Sequence, residues 1–76
     1  MKEPEDKIVL DKIRSNIVRI RTEKGLTVRE LAARADMEPS VIQNFVKGRS
    51  DIVTTNLIKI ARGLAVSLER LVQMDA

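Results

Sequence analysis

Along the stretch "KIVLDKIRSNIVRIRTEKG", Leu10, Ile13, Ile17 and Ile20 recur at spacings of three, four and three. That is the period of one face of an amphipathic helix, and Arg14, Arg19, Arg21 and Lys24 fall on its other faces. Gly25 sits where helices end, behind a cation that suits the negative end of the helix dipole. A second, shorter helix is predicted in "LTVRELAARAD", where Thr27 is a good N-cap and Glu30, three residues on, completes a capping box. Its apolar side is Val28, Leu31, Ala32 and Ala35, and Asp36 stands where the chain must turn.

"MEPSVIQNFVKGR" supplies a third helix with Pro39 preset for its first position and Met37, Ile42 and Phe45 facing inward, closed by Gly48. After the loop-like "GRSDIVTT", Thr54 or Thr55 is expected to cap a fourth helix carrying Leu57, Ile60, Ala61 and Leu64. A fifth segment, "SLERLVQM", starts at Ser67 and shows Leu68, Leu71 and Val72. No alternating run is long enough for a strand, although "DIVTT" is locally strand-like. The pattern predicts an all-α chain of five helices, with residues 1–6 a disordered acidic head and residues 7–76 one domain.

The second and third helices are each too short to be stable alone in water, so each depends on packing. Two such helices joined by a tight turn form a helix-turn-helix. The outer face of the third carries Ser40, Gln43, Asn44 and Lys47 at spacings of three, one and three. On an arbitrary helix these would be a solvated surface; in this motif, hydroxyl, amide and ammonium are the groups that bond base edges and phosphates in a major groove.

Composition narrows the field further. With 76 residues and 43% apolar content there is one small domain with one modest core, of a size at which a partner subunit often adds stability. The chain has no Cys and no His. This removes disulfides, the commonest zinc ligands and the commonest general base. No glycine-rich phosphate loop or metal-ligand spacing appears, and the acidic residues are explained by caps, turns or solvation. Neither an enzyme nor a cofactor is expected, and no small-molecule ligand is evident. The formal charge is +3, but residues 7–76 carry 13 basic and 8 acidic side chains, a net of +5. A single Phe without Tyr or Trp argues against stacking on single strands, which leaves double-stranded DNA as the favoured anionic partner. No apolar run approaches a membrane span and the charged start lacks a leader core. A soluble, cytoplasmic, nucleoid-associated protein without a membrane partner is expected.

The segment "RIRTEKGLTVRELAARADMEPSVIQNFVKGRSDIVTTNLIKIARGLAVSLERLV" resembles the lambda-repressor-like helix-turn-helix domain of the Cro and phage-repressor type, over roughly residues 10–73. The "GLTVRELA" opening of helix two, the small-residue turn and the "LIKIARGLAVSLERL" tail carry the likeness. It implies a five-helix DNA-binding regulator, acting as a dimer on palindromic operators, with repression the default. By position, it assigns base reading to Pro39, Ser40, Gln43 and Asn44, and backbone contact to Lys47, Arg49 and Ser50. The starts of helices two and four also face phosphate in this family, which adds Thr27 and Arg29.

Several positions depart from the family pattern. Val28 replaces a Gln that helps clamp phosphate, and Arg29 substitutes only electrostatically. Asp36 and Ala65 replace glycines, the latter at a cost of ~1 kcal/mol if the backbone stays left-handed. Val46 replaces a Glu that pairs with an Arg of helix one, so Arg21 is expected to be free for solvent, phosphate or Asp51. Glu38 and Pro39 begin the reading helix without a group that bonds a base readily. These departures sustain an alternative, a protein-interaction module of antitoxin or regulatory-subunit type with secondary DNA binding. Among Val53, Val66, Leu68, Val72 and Met74, apolar surface left by the core is expected to pair with a second copy. A homodimer through the helix five region, Val66, Leu68, Val72 and Met74, follows.

Overall fold

The computed structural model describes residues 4–74, which form five helices and no strand. They are α1 (Pro4–Glu23), α2 (Val28–Ala35), α3 (Pro39–Val46), α4 (Thr54–Leu64) and α5 (Leu68–Val72). Helix α1 is longer than the sequence suggests. Part of the expected disordered head, residues 4–6, is instead its first turn; residues 1–3 lie outside the described residues. The cause is local: proline has the φ of a helix start, and Glu5 and Asp6 meet the positive end of the dipole.

The apolar row of α1 is buried as Ile13, Ile17 and Ile20, with Leu10 packed at its edge. Helix α2 contributes Leu31, Ala32 and Ala35, α3 contributes Ile42 and Phe45, and α4 contributes Leu57, Ile60, Ala61 and Leu64. Leu71 alone anchors the five-residue α5 in the buried core. Helix α2 packs on α4 and α3, while α1 packs on α5 and α3. Helix α4 comes close to α2 at Gly63. A Cβ built there would stand 3.1 Å from Ala35 Cβ and N and from Leu31 Cδ1, so a hydrogen at that position lets two backbones close on each other.

The capping box at Thr27 is formed in full: the Thr27 N–H donates to Glu30 Oε1 at 2.8 Å and the Glu30 N–H donates to Thr27 Oγ1 at 3.0 Å. The expected cap on α4 is not. Val53 takes that position in extended conformation with no side-chain hydrogen bond, and Thr54 is already helical. Ile52, just ahead, packs against the core, which holds the chain extended through Val53 and sets the helix start one residue beyond it.

Helices α1 to α4 share one ending. Gly25, Asp36, Gly48 and Ala65 are all left-handed, with φ of 69°, 57°, 78° and 59°. After each, the next residue's N–H bonds back across six residues: Leu26 to Arg21, Met37 to Ala32, Arg49 to Asn44 and Val66 to Ala61. This is the Schellman arrangement, which satisfies carbonyls a helix end would leave bare. Asp36 and Ala65 adopt it despite their Cβ atoms. Among the described residues no helix is long and apolar enough to cross a membrane.

Candidate nucleic-acid interface

Helix α3 is held by its inner face. Ile42 and Phe45 are fully buried, and Met37, expected in the core, is half-buried at its margin. The opposite side presents Ser40, exposed, with Gln43 and Asn44 half-buried beside it. Pro39 occupies the first helical position, and Glu38 before it makes no side-chain capping bond. The helix then ends in the Gly48 turn, which leaves Lys47, Arg49 and Ser50 exposed in sequence directly after the polar face. One short helix and its exit turn therefore carry seven of the ten sequence-derived site residues.

The remaining three lie elsewhere. Thr27 and Arg29 are exposed at the start of α2, where the hydroxyl and N–H of Thr27 are already engaged with Glu30. Hydrogen bonding by the Thr27 backbone N–H, and then by its side chain, holds the Glu30 carboxyl below the usual carboxylate range. Arg21 differs from expectation. It is half-buried and donates to the Leu26 carbonyl oxygen at 2.6 Å, tying the end of α1 to the residue before the Thr27 cap. With no Glu at position 46 to pair with, the guanidinium bonds the Leu26 carbonyl instead.

Two residues that the sequence did not single out as functional tie the helices together, and one of them reaches the site. Arg14 reaches from α1 to the end of α3, with Nε donating to Phe45 O at 2.7 Å and Nη2 donating to Ser50 O at 3.1 Å. Its Nη1 pairs with Asp11 at 2.9 Å, and its guanidinium lies 4.7 Å from the Phe45 ring centroid. Bonds from Lys7 and then Arg14 keep the Asp11 carboxyl low. An open groove of about 590 Å³ beside them is lined by Lys7, Asp11, Arg14, Arg19 and, from the far wall, Val46 and Lys47.

Asn16 is the second, a buried amide that donates to Leu71 and Gln73 carbonyls. Its signal was visible, since Asn16 lies three residues after Ile13 and four before Ile20, a polar residue on the apolar face. Arg14 gave no such signal, because the carbonyls it bonds are 31 and 36 residues away.

Two short helices set against each other across a tight left-handed turn, with a polar second helix outward, define a helix-turn-helix protein. The comparisons agree: a family model described as helix-turn-helix matches residues 17–71. The chain belongs to this lambda-repressor-like helix-turn-helix family of transcription regulators, a non-enzymatic DNA-binding class. An uncharacterized HTH-type transcriptional regulator of Sinorhizobium fredii is 36% identical over 58 residues, covering 76% of this chain and 75% of that protein.

Among solved structures, the restriction-modification controller protein C.AhdI of Aeromonas hydrophila superposes with a TM-score of 0.77 at 26% identity, covering 82% of this chain and 94% of that one. The restriction-modification controller protein C.Esp1396I gives 0.75 at 25% identity, over 90% and 96% of the two chains. A hypothetical transcription factor from Neisseria, at 22% identity and a TM-score of 0.81, shares the fold over 95% of this chain and 83% of its own.

Proposed function

We propose that this chain is a sequence-specific regulator of transcription that binds a palindromic operator in double-stranded DNA as a homodimer and represses by occluding the polymerase. The observation that carries the reading is the outward face of α3, where Ser40, Gln43 and Asn44 stand together and run directly into Lys47, Arg49 and Ser50. Amides and hydroxyls suit base edges, and the cations that follow suit the flanking phosphates. Gln43 is the principal reader, because its amide can make two hydrogen bonds to adenine. Pro39 adds only apolar contact, so specificity rests on few side chains. Arg29 and Thr27 approach the backbone from α2.

The second copy is supported by apolar surface around α5. Val72 is 37% exposed and Met74 46%, whereas Val66 and Leu68 are already half-buried on the chain's own core. Pairing uses the exposed two with the partly covered pair at the rim, and a palindromic operator then requires two α3 helices about 34 Å apart in successive major grooves. A protein with this partner works at the nucleoid in the cytoplasm.

Selection of bound duplexes from a random pool at physiological salt, with a mass measurement in solution, tests this. An enriched palindrome bound by a dimer supports it. No enriched sequence would sink the operator reading and favour a protein-binding role instead.

A further inference from the structure

We infer that Arg14 is a positioning residue for DNA binding, ordering the phosphate-contacting turn through the carbonyls of Phe45 and Ser50; the inference rests on the DNA-binding reading above. Residues 47 to 50 are all exposed. No buried side chain of their own holds them, yet Lys47 and Arg49 must project in one direction to meet a fixed row of phosphates. The guanidinium of Arg14 touches both ends of this segment. Nε donates to Phe45 O at 2.7 Å and Nη2 to Ser50 O at 3.1 Å. Phe45 O also accepts the Gly48 N–H at 3.0 Å, so Arg14 is bonded into the same turn that Gly48 closes.

The charge of Arg14 is turned inward. Its side chain is only 12% exposed, it pairs with Asp11 at 2.9 Å, and it lies over the Phe45 ring at 4.7 Å from the centroid. With its fork engaged by Phe45 O, Ser50 O and Asp11, the guanidinium acts by shaping the turn that carries Lys47 and Arg49. The planar fork matters here, because its nitrogens are fixed relative to one another and bridge two carbonyls together. A lysine ammonium is a single point and cannot reproduce that span. Holding a binding loop in its bound shape raises affinity by removing an ordering cost.

The test uses the full chain with Arg14→Lys, which keeps the charge, and Arg14→Met, which keeps the stem over Phe45. Amide hydrogen exchange is read in the free proteins, and binding to a random-sequence duplex is titrated against salt. In both variants exchange at residues 47 to 50 is expected to quicken while α2 and α4 amides hold. Affinity at fixed salt should fall by about tenfold, the scale of losing a hydrogen bond from a charged group, and the salt slope should not change. A slope reduced by about one would mean that Arg14 contacts phosphate itself and would overturn the inference. Unchanged affinity and exchange would overturn it as well. Wild-type protein that binds no duplex at low salt would instead overturn the DNA-binding reading, and hydrogen exchange alone would then decide whether Arg14 orders the turn.

Discussion

The side-chain amide of Asn16 donates to the carbonyl oxygen of Leu71 at 2.8 Å, inside the contact between α1 and α5. The same nitrogen donates to Gln73 O at 3.0 Å, so one buried side chain satisfies a carbonyl of a helix that lasts only five residues and the carbonyl of the residue that ends it. Helix α5 is far below the length that holds itself together, and Leu71 is its one fully buried residue. Asn16→Ala should therefore lower unfolding stability by roughly 2 kcal/mol, since it leaves the buried Leu71 carbonyl unpaired. Urea denaturation measures this; a loss under about 0.5 kcal/mol, the level of an ordinary surface change, would mean that water replaces the amide without penalty.

The close seam between α2 and α4 and the end of α4 yield two substitutions of opposite sign. Gly63→Ala places a methyl 3.1 Å from the backbone nitrogen of Ala35, which cannot swing aside as a side chain tip would. Overpacking outweighs the better helix propensity of alanine, for a net loss of about 1 kcal/mol. Ala65→Gly relieves a left-handed alanine at φ 59° and should raise stability by about 0.5 to 1 kcal/mol after the entropy of the unfolded glycine is counted. Thermal melts of both variants against wild type would show the signs directly.

What the sequence made legible follows from which interactions are local. The row Leu10, Ile13, Ile17, Ile20 and the Thr27–Glu30 box are short-range, and both appear where their spacing indicates. Helix α3 and its outward polar face follow from the same kind of pattern, with the inner pair Ile42 and Phe45 buried. Long-range choices were not legible: only the folded chain brings Phe45 O and Ser50 O to Arg14. The bond from Arg21 to Leu26 O spans just five residues, but it depends on the backbone turn at Gly25 rather than on any pattern of side chains. Caps were ambiguous for a different reason: two threonines stand at the start of α4, but the packing of Ile52 places the cap at Val53.

Acid should weaken the start of α2. The Glu30 carboxyl is held low by Thr27, so in the folded chain it stays ionised to lower pH than in the unfolded one. Its contribution is complete above the ordinary carboxylate range and fades as pH falls through that range toward the lowered value. Glu30→Gln, which keeps an acceptor but no titrating group, should show a smaller stability loss on acidification than wild type. Denaturation midpoints measured across pH 6 to 3 would decide it (about one step per pH unit suffices). Parallel curves for the two proteins would remove the capping carboxylate as a source of acid sensitivity. Asp11, lowered by Lys7 and Arg14, acts in the same direction and remains in both.

Lys47 and Arg49 follow α3 as exposed cations. Lys47→Ala and Arg49→Ala should each weaken binding to operator and to random duplex alike. Each should also reduce the slope of log affinity against log salt by roughly one unit, the signature of one phosphate contact. A slope that does not move would take that residue off the backbone.

If α3 reads bases chiefly through Gln43, the affinities of Gln43→Ala and wild type for a selected operator and for random duplex at one salt concentration will show it. Gln43→Ala should lose on the order of 1 to 3 kcal/mol on the operator with little change on random DNA. An equal fall on both would contradict it, because it would make Gln43 a contact to backbone rather than to sequence.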